Sequence, residues 1–223
     1  MSEKIHTETG TEVDGPGEGP AAADESGGEA VLPGGVAEAS TVLVIESMEA
    51  DTDGICHAFY PEDRLGETSL LVVSLTRSAE NCINAVGGSG RPFPRKLTVV
   101  STEDRIGTTR TESGATGDSR NVAVRTVKDP SDLPKLGMSI TEVLRRWPDD
   151  EILICFDSLT ELLRSVELER VYRFVHVLTD RLVELDARMH IHVDGQACDD
   201  RTLATLRSLF DTVVEVPADL ESG

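Results

Sequence analysis

The sequence predicts an α/β fold in which a mostly parallel sheet is doubly wound, with helices on both faces in three layers. Apolar segments alternate with amphipathic segments along residues 41–216, an order typical of parallel sheets. Residues 152–156, Ile-Leu-Ile-Cys-Phe, show no polar alternation, as expected of a strand covered on both faces. That segment ends in Asp157-Ser158, at the edge where open α/β sheets bind ligands.

The strands are predicted from short apolar runs that end at polar or turn-forming residues. Residues 41–45 give the first buried strand, and residues 121–127 alternate imperfectly and give a short additional strand. The predicted strands lie at residues 41–45, 68–75, 97–100, 121–127, 151–156, 189–193 and 212–216.

The helices are predicted from apolar residues at helical spacing and from capping residues. Residues 168–185 carry apolar side chains at i, i+3, i+4 and i+7 and form the longest amphipathic helix. Ser78 and Asp132 precede two helices as N-caps, and Asp157-Ser158 also suits the N-cap of a helix that begins at Leu159. The predicted helices include residues 55–59, 79–86, 133–147, 168–185 and 200–210.

Composition divides the chain into one domain and two tails. Residues 1–39 are rich in Gly, Pro, Ala, Ser and acidic residues, too polar to offset chain entropy by burial, so we expect a disordered acidic tail. Residues 40–218 are long enough for a single α/β domain, and residues 219–223 form a short C-terminal tail. Within the domain, residues 102–120 lack periodicity and are predicted to form a surface loop.

Charge limits the classes of partner. The chain has 41 acidic and 21 basic residues and a net charge of -20, which repels nucleic acids and anionic membranes. Its few lysines, among many acids, are typical of proteins that stay soluble in very high salt, so we expect a halophilic source. The chain opens with polar residues, and no apolar run reaches the ~20 residues of a membrane helix. We therefore expect a cytoplasmic protein.

The cysteines do not predict a metal site. Cys56, Cys82, Cys155 and Cys198 are widely spaced and form no CxxC pair, which argues against a zinc site or a disulfide framework. Cys155 lies within the apolar strand and is interpreted as a small core residue.

The turn after the first strand is where a phosphate loop would lie, between a strand and a helix. A phosphate loop needs glycines to wrap the anion and a Lys-Ser/Thr pair. Residues 46–54 instead contain Glu46, Glu49, Asp51 and Asp53. These carboxylates would repel a triphosphate, so ordinary ATP binding at this turn is not expected.

The order of elements and the Asp-Ser strand ending resemble the core of the RecA/KaiC group of P-loop NTPases. In that resemblance Asp157-Ser158 corresponds to the Walker B signature. Residues 74–80, Ser-Leu-Thr-Arg-Ser-Ala-Glu, are similar to the KaiC segment that carries two catalytic glutamates, whose positions fall on Thr76 and Arg77. Residues 41–216 are also similar to an uncharacterised RecA-like family of halophilic archaea, through the stretches VVSLTRS, CFDSLTELL, LERVYRFVHVLTDRL and TLRSLFDTVVEV.

This sequence differs from the RecA/KaiC pattern at the residues that bind and hydrolyse nucleotide, and these differences determine the function that we expect. The Walker A residues and both glutamates are missing, while Asp157 is retained. The resemblance therefore implies a pseudo-ATPase that acts through a protein partner or self-association, in regulation or signalling, with no resident cofactor or metal. The alternative is an ATP-binding or ATP-hydrolysing protein with an unconventional grip, in which Asp157 holds magnesium and Arg77 holds phosphate, beside Thr76 and Ser158. A third hypothesis is a structural subunit that assembles with itself or with an active relative.

Two other site hypotheses involve the strand at residues 189–193. His190, His192 and Asp194 alternate and should project from one face, and His176 lies on the long helix. Metal binding by these groups is conceivable, although His commonly contacts neighbouring polar groups instead. Ser158 with His192 and Asp194 could form a hydrolase triad, but no GxSxG elbow surrounds the serine.

Overall fold

The computed structural model describes residues 36, 39–47, 52–60, 63–88, 92–102 and 121–216. In these ranges the structure has seven strands and six α-helices, which alternate except where β4 follows β3 and α5 follows α4, and a 3-10 helix at Leu65–Glu67. The strands are β1 Thr41–Glu46, β2 Ser69–Ser74, β3 Lys96–Ser101, β4 Val122–Thr126, β5 Ile152–Asp157, β6 Arg188–Asp194 and β7 Thr212–Glu215. The helices are α1 Thr52–Ala58, α2 Ala79–Gly87, α3 Leu133–Leu144, α4 Leu159–Ser165, α5 Leu168–Glu184 and α6 Asp200–Arg207.

The described strands form one sheet in the order β4-β3-β2-β5-β6-β1-β7, and every pairing is parallel. The central strand β5 lies between β2 and β6, and its Asp157 pairs in register with Ser74. Glu46 at the end of β1 pairs with Asp194 at the end of β6. The carboxyl ends of these strands therefore meet at one edge of the sheet.

Helices cover both faces of the sheet. Helices α3, α4, α5 and α6 pack on one face with side chains such as Ile154 and Phe156 of β5. Helices α1 and α2 pack on the other face with Leu153 and Cys155 of the same strand. Because side chains alternate along a strand, β5 contributes to both cores. The predicted three-layer, doubly wound α/β fold is confirmed, and the arrangement is consistent with a RecA-like fold.

The predicted N-caps Ser78 and Asp132 are confirmed, and Asp199 caps α6 in the same way. The side chains of Ser78, Asp132 and Asp199 accept hydrogen bonds from the first turns of α2, α3 and α6. Ser158 occupies the N-cap position of α4, but its side chain makes no capping hydrogen bond. None of the helices among the described residues is long and apolar enough to cross a membrane.

Several sequence predictions fall on residues outside the described ranges. They concern the C-terminal tail 219–223, most of the loop 102–120 and most of the acidic tail 1–39. Val36, which belongs to the predicted tail, is buried in a small cluster with Val42, Val44 and others. Packing on the domain thus includes at least this residue upstream of β1.

At the opposite edge of the sheet, Asp150 ties together the amino ends of three strands. Its Oδ2 accepts hydrogen bonds from Ser69 Oγ at 2.6 Å and Lys96 Nζ at 2.7 Å, and Arg95 Nη1 lies 3.5 Å from Oδ1. Burial disfavours the charged carboxylate, but these donors outweigh burial and lower the pKa of Asp150.

We predict that Asp150→Asn destabilises the domain by about 1–2 kcal/mol at pH 7, because it weakens charge-assisted hydrogen bonds. A carboxylate with a lowered folded-state pKa stabilises the fold above its unfolded pKa of about 3.9 and loses that contribution as pH falls through the folded pKa. The difference between wild type and variant in urea unfolding should therefore shrink below about pH 4. Asp149→Asn, at the exposed neighbour, is the control. An equal effect of both variants would contradict the assignment.

Candidate functional site

A cavity of about 400 Å³ lies at the carboxyl edge of the sheet, where β1, β2, β5 and β6 end. It contains all four residues that the sequence predicted for a vestigial nucleotide site, namely Thr76, Arg77, Asp157 and Ser158. The full lining is Glu46, Ser47, Thr52, Asp53, Thr76, Arg77, Asp157, Ser158, Thr160, Glu161, Arg164 and Asp194.

Asp157 lines the cavity and contacts hydroxyl groups from β2 and from the turn after it. Its Oδ2 accepts hydrogen bonds from Thr76 Oγ1 at 2.7 Å and Ser74 Oγ at 3.3 Å. Burial raises the pKa of Asp157, and the Thr76 hydrogen bond and nearby Arg77 offset this only in part. The peptide bond that joins Asp157 to Ser158 is cis.

The guanidinium of Arg77 is engaged by carboxylates inside the cavity. Arg77 Nη1 lies 2.6 Å from Asp53 Oδ1, and Arg77 Nε lies 3.8 Å from Asp157 Oδ2. Burial disfavours the charged guanidinium, but Asp53 outweighs burial and raises the pKa of Arg77 above its ordinary value. The side chain that would hold a phosphate thus bridges the first turn of α1 and the end of β5.

Acidic groups outnumber basic groups around the cavity. Five carboxylates and two guanidiniums line it, which leaves three negative charges when all are ionised. Arg164 lies 3.0 Å from Glu161 and Arg77 lies 2.6 Å from Asp53, so both cations are already paired. Among the described residues, no lysine lines this cavity. The arrangement favours a cationic group over a phosphate.

Glu46 connects the cavity to a cluster buried beneath it. Glu46 Oε1 accepts a hydrogen bond from Thr52 Oγ1 at 3.2 Å and lies 3.1 Å from His192 Nδ1. Its Oε2 is buried and makes no hydrogen bond with a described residue. The tight turn behind Glu46 requires Gly195, because a Cβ there would lie 2.8 Å from Ile45 Cγ2.

The buried cluster consists of Cys56, Cys155, His190 and His192. One potential ligand atom from each residue lies within 4.8 Å of all the others. Burial opposes a charged imidazole, but hydrogen bonds with Cys155 and Glu46 raise the pKa of His192 to about 10. The Cys56 hydrogen bond lowers the pKa of Cys155 below its ordinary value, against burial. The same hydrogen bond, together with burial, raises the pKa of Cys56, so the shared proton is held more strongly by Cys56 than by Cys155.

This cluster was missed because the sequence argument relied on spacing. Cys56 and Cys155 form no CxxC pair, yet the fold places their sulfur atoms 3.2 Å apart. The interpretation of Cys155 as an ordinary core residue is therefore incomplete. The available signal was the alternation of His190 and His192, which share a face as predicted.

The other predicted combinations do not assemble. Asp194 lines the cavity, whereas the ring of His192 contacts Glu46 and Cys56, so the Ser158–His192–Asp194 triad is not formed. His176 is exposed on α5, which packs on the opposite face of the sheet from the buried cluster.

Comparison with known proteins identifies a family but no activity. Residues 39–216 match DUF7504, described as a family of unknown function, and this range contains every described strand, the cavity and the buried cluster. No curated protein matches the chain. Since the match covers most of the 223 residues, the chain belongs to the DUF7504 family.

Proposed function

We propose that this protein is a non-catalytic RecA/KaiC-like domain, a pseudo-ATPase, that acts through protein contacts in a regulatory or signalling role. The observation that carries the proposal is the Arg77–Asp53 ion pair at 2.6 Å, inside a cavity where carboxylates outnumber guanidiniums. We place the protein in the cytoplasm of a halophilic archaeon, in keeping with its net charge of -20 and scarce lysine.

The chemistry of the cavity supports the loss of catalysis. In the resemblance to KaiC, Thr76 and Arg77 occupy the positions of the two catalytic glutamates. Neither a threonine hydroxyl nor a guanidinium accepts a proton from water near neutral pH, so neither can act as a general base. The Thr76 hydroxyl is within hydrogen-bond distance of Asp157, at 2.7 Å.

Electrostatics support the loss of phosphate binding. Two unit charges 4 Å apart interact by about 4 kcal/mol at an effective dielectric constant of 20. A triphosphate entering this cavity would meet net negative charge and would have to displace Asp53 from Arg77. Binding would therefore begin with the loss of an ion pair.

The alternative function is nucleotide binding by residues other than those of a standard phosphate loop. One observation favours it: Glu46 Oε2 is buried without a hydrogen bond, so this oxygen and Asp157 could both serve a magnesium ion. Arg77 would then exchange Asp53 for a phosphate group.

Calorimetric titration with Mg-ATP in molar potassium chloride separates the two functions. We expect no binding heat from wild type, because the cavity holds no unpaired cation among the described residues. The alternative predicts binding that Asp157→Ala abolishes and that Asp53→Asn strengthens by releasing Arg77. Thr160→Val, at a hydroxyl on the cavity wall, is the control. Saturable binding with this pattern would overturn the pseudo-ATPase proposal.

A groove between α3 and α5 supports the part of the proposal that concerns protein contacts. The groove has a volume of about 600 Å³, and its lining includes Phe174, Met138 and Val177. Met138 is 63% exposed and Val177 is 69% exposed, and both line the same groove as Phe174, so they form an apolar patch rather than isolated exposed side chains.

The charges around the groove favour a second copy of this chain as the occupant. The lining carries both signs, with the basic residues Arg145 and Arg181 among the acidic residues Glu142, Asp180 and Glu184. In a two-fold contact a patch faces itself, so mixed charge permits complementary pairs whereas uniform negative charge would repel.

We predict a dimer in light scattering at molar salt. Replacing Met138 and Val177 together by glutamate should weaken association by at least about tenfold, since it places charge in the apolar contact. Val183→Glu is the matched control, because Val183 is also 69% exposed on α5 but does not line the groove. A wild-type monomer at about 100 μM, or equal loss in the control, would contradict self-association through this face.

A further inference from the structure

Four metal-ligating side chains meet between α1 and the sheet, on the side of the sheet that faces α2. Cys56 comes from α1, Cys155 from β5, and His190 and His192 from β6. Cys155 pairs in register with His190, and the two-residue period of the strand places His192 on the same face. The strand order therefore assembles four groups that are distant in sequence.

We propose that Cys56, Cys155, His190 and His192 bind one zinc ion. Two thiolates and two imidazoles are a ligand set that zinc prefers in tetrahedral sites. Bond lengths of about 2.3 Å to sulfur and 2.0–2.1 Å to nitrogen give ligand separations of roughly 3.3–3.8 Å in a tetrahedron. The Cys56 and Cys155 sulfurs lie 3.2 Å apart, and Cys56 Sγ lies 3.3 Å from His192 Nε2. Small adjustments would open the cluster around an ion.

The cluster is closed to solvent and contains an unsatisfied polar atom. The exposed fractions are 5% for Cys56, 1% for Cys155, 3% for His190 and 0% for His192. Nε2 of His190 is buried and makes no hydrogen bond with a described residue. Leaving such an atom unpaired in a buried site is unfavourable. A bound zinc ion would accept the lone pair of His190 Nε2 and so satisfy this buried atom.

Neighbouring groups orient the two imidazoles. Glu46 Oε1 lies 3.1 Å from His192 Nδ1, which leaves Nε2 directed at Cys56. A carboxylate that accepts from the second ring nitrogen is a common feature of histidine ligands. The ring of His190 is stacked on Phe59, with centroids 4.3 Å apart and an angle of 10° between the planes. Both rings are therefore held in place before an ion binds.

Charge balance suits the buried position. Two thiolates neutralise one Zn²⁺, so the complex with two neutral imidazoles carries no net charge, as burial requires. Four protein ligands leave no open position, so the ion is structural. It would fix α1, whose first turn carries Thr52 and Asp53 at the cavity wall. This inference stands independently of the proposed function.

The test measures zinc in the purified full chain, refolded with excess zinc and dialysed without chelator. Elemental analysis should give about one zinc per chain, and Cys56→Ser and Cys155→Ser should each lower it below about a tenth. Cys82→Ser is the control, because Cys82 is also buried in the α1–α2 layer but lies outside the cluster. It should retain the zinc.

If the serine variants fail to fold, cobalt binding to the wild type provides a second test. Co²⁺ added to the metal-free wild type should give the visible absorption bands of a tetrahedral thiolate complex, and zinc should remove them. Folded wild type that takes up neither metal would overturn the proposal. A Cys56–Cys155 disulfide, seen as an intact mass two hydrogens lower without zinc, would also overturn it. So would equal zinc retention in Cys155→Ser and Cys82→Ser.

Discussion

The parallel direction of the described strands is the constraint on which the rest of the site depends. It brings the ends of β1, β2, β5 and β6 to one edge, where Glu46 lies opposite Asp194 and Asp157 lies opposite Ser74. Carboxylates at adjacent strand ends repel one another when partly buried. Arg77 reduces this repulsion by bridging Asp53 and Asp157. The same bridge removes the cation that a phosphate group would need.

Glu46 lines the open cavity and also contacts His192 of the buried cluster. One of its oxygens contacts both Thr52 at the start of α1 and His192 on β6. The cavity and the cluster therefore share a residue and the same helix, α1. On this account the cluster fixes the position of α1, and α1 presents Asp53 to Arg77.

Much of the fold followed from sequence periodicity. The continuous apolar run of β5 and the amphipathic pattern of α5 predicted both elements within a few residues. The cavity residues Thr76, Arg77 and Asp157 were also predictable, because each follows or ends a strand and parallel strands share an edge.

The cluster could not be predicted because it depends on strand order. Cys56 and Cys155 are 99 residues apart in sequence, and only the placement of β5 beside β6, with α1 above them, brings them together. The exposure of Met138 and Val177 could not be predicted either, because helical periodicity does not show which apolar side chains pack against another element. Both features arise from long-range packing.

The stability of Asp157→Asn tests the central claim, that Asp157 is a buried carboxylate without a bound cation. Asparagine can still accept the hydrogen bonds from Thr76 and Ser74. The substitution removes the repulsion with other carboxylates, which is only partly offset by the loss of the 3.8 Å ion pair with Arg77. In urea unfolding, the account predicts a change between zero and about 1 kcal/mol of stabilisation, smaller at high salt. Asp194→Asn, at the same edge, is the control. Destabilisation by more than about 2 kcal/mol would show that the charge itself is needed, and would contradict the account.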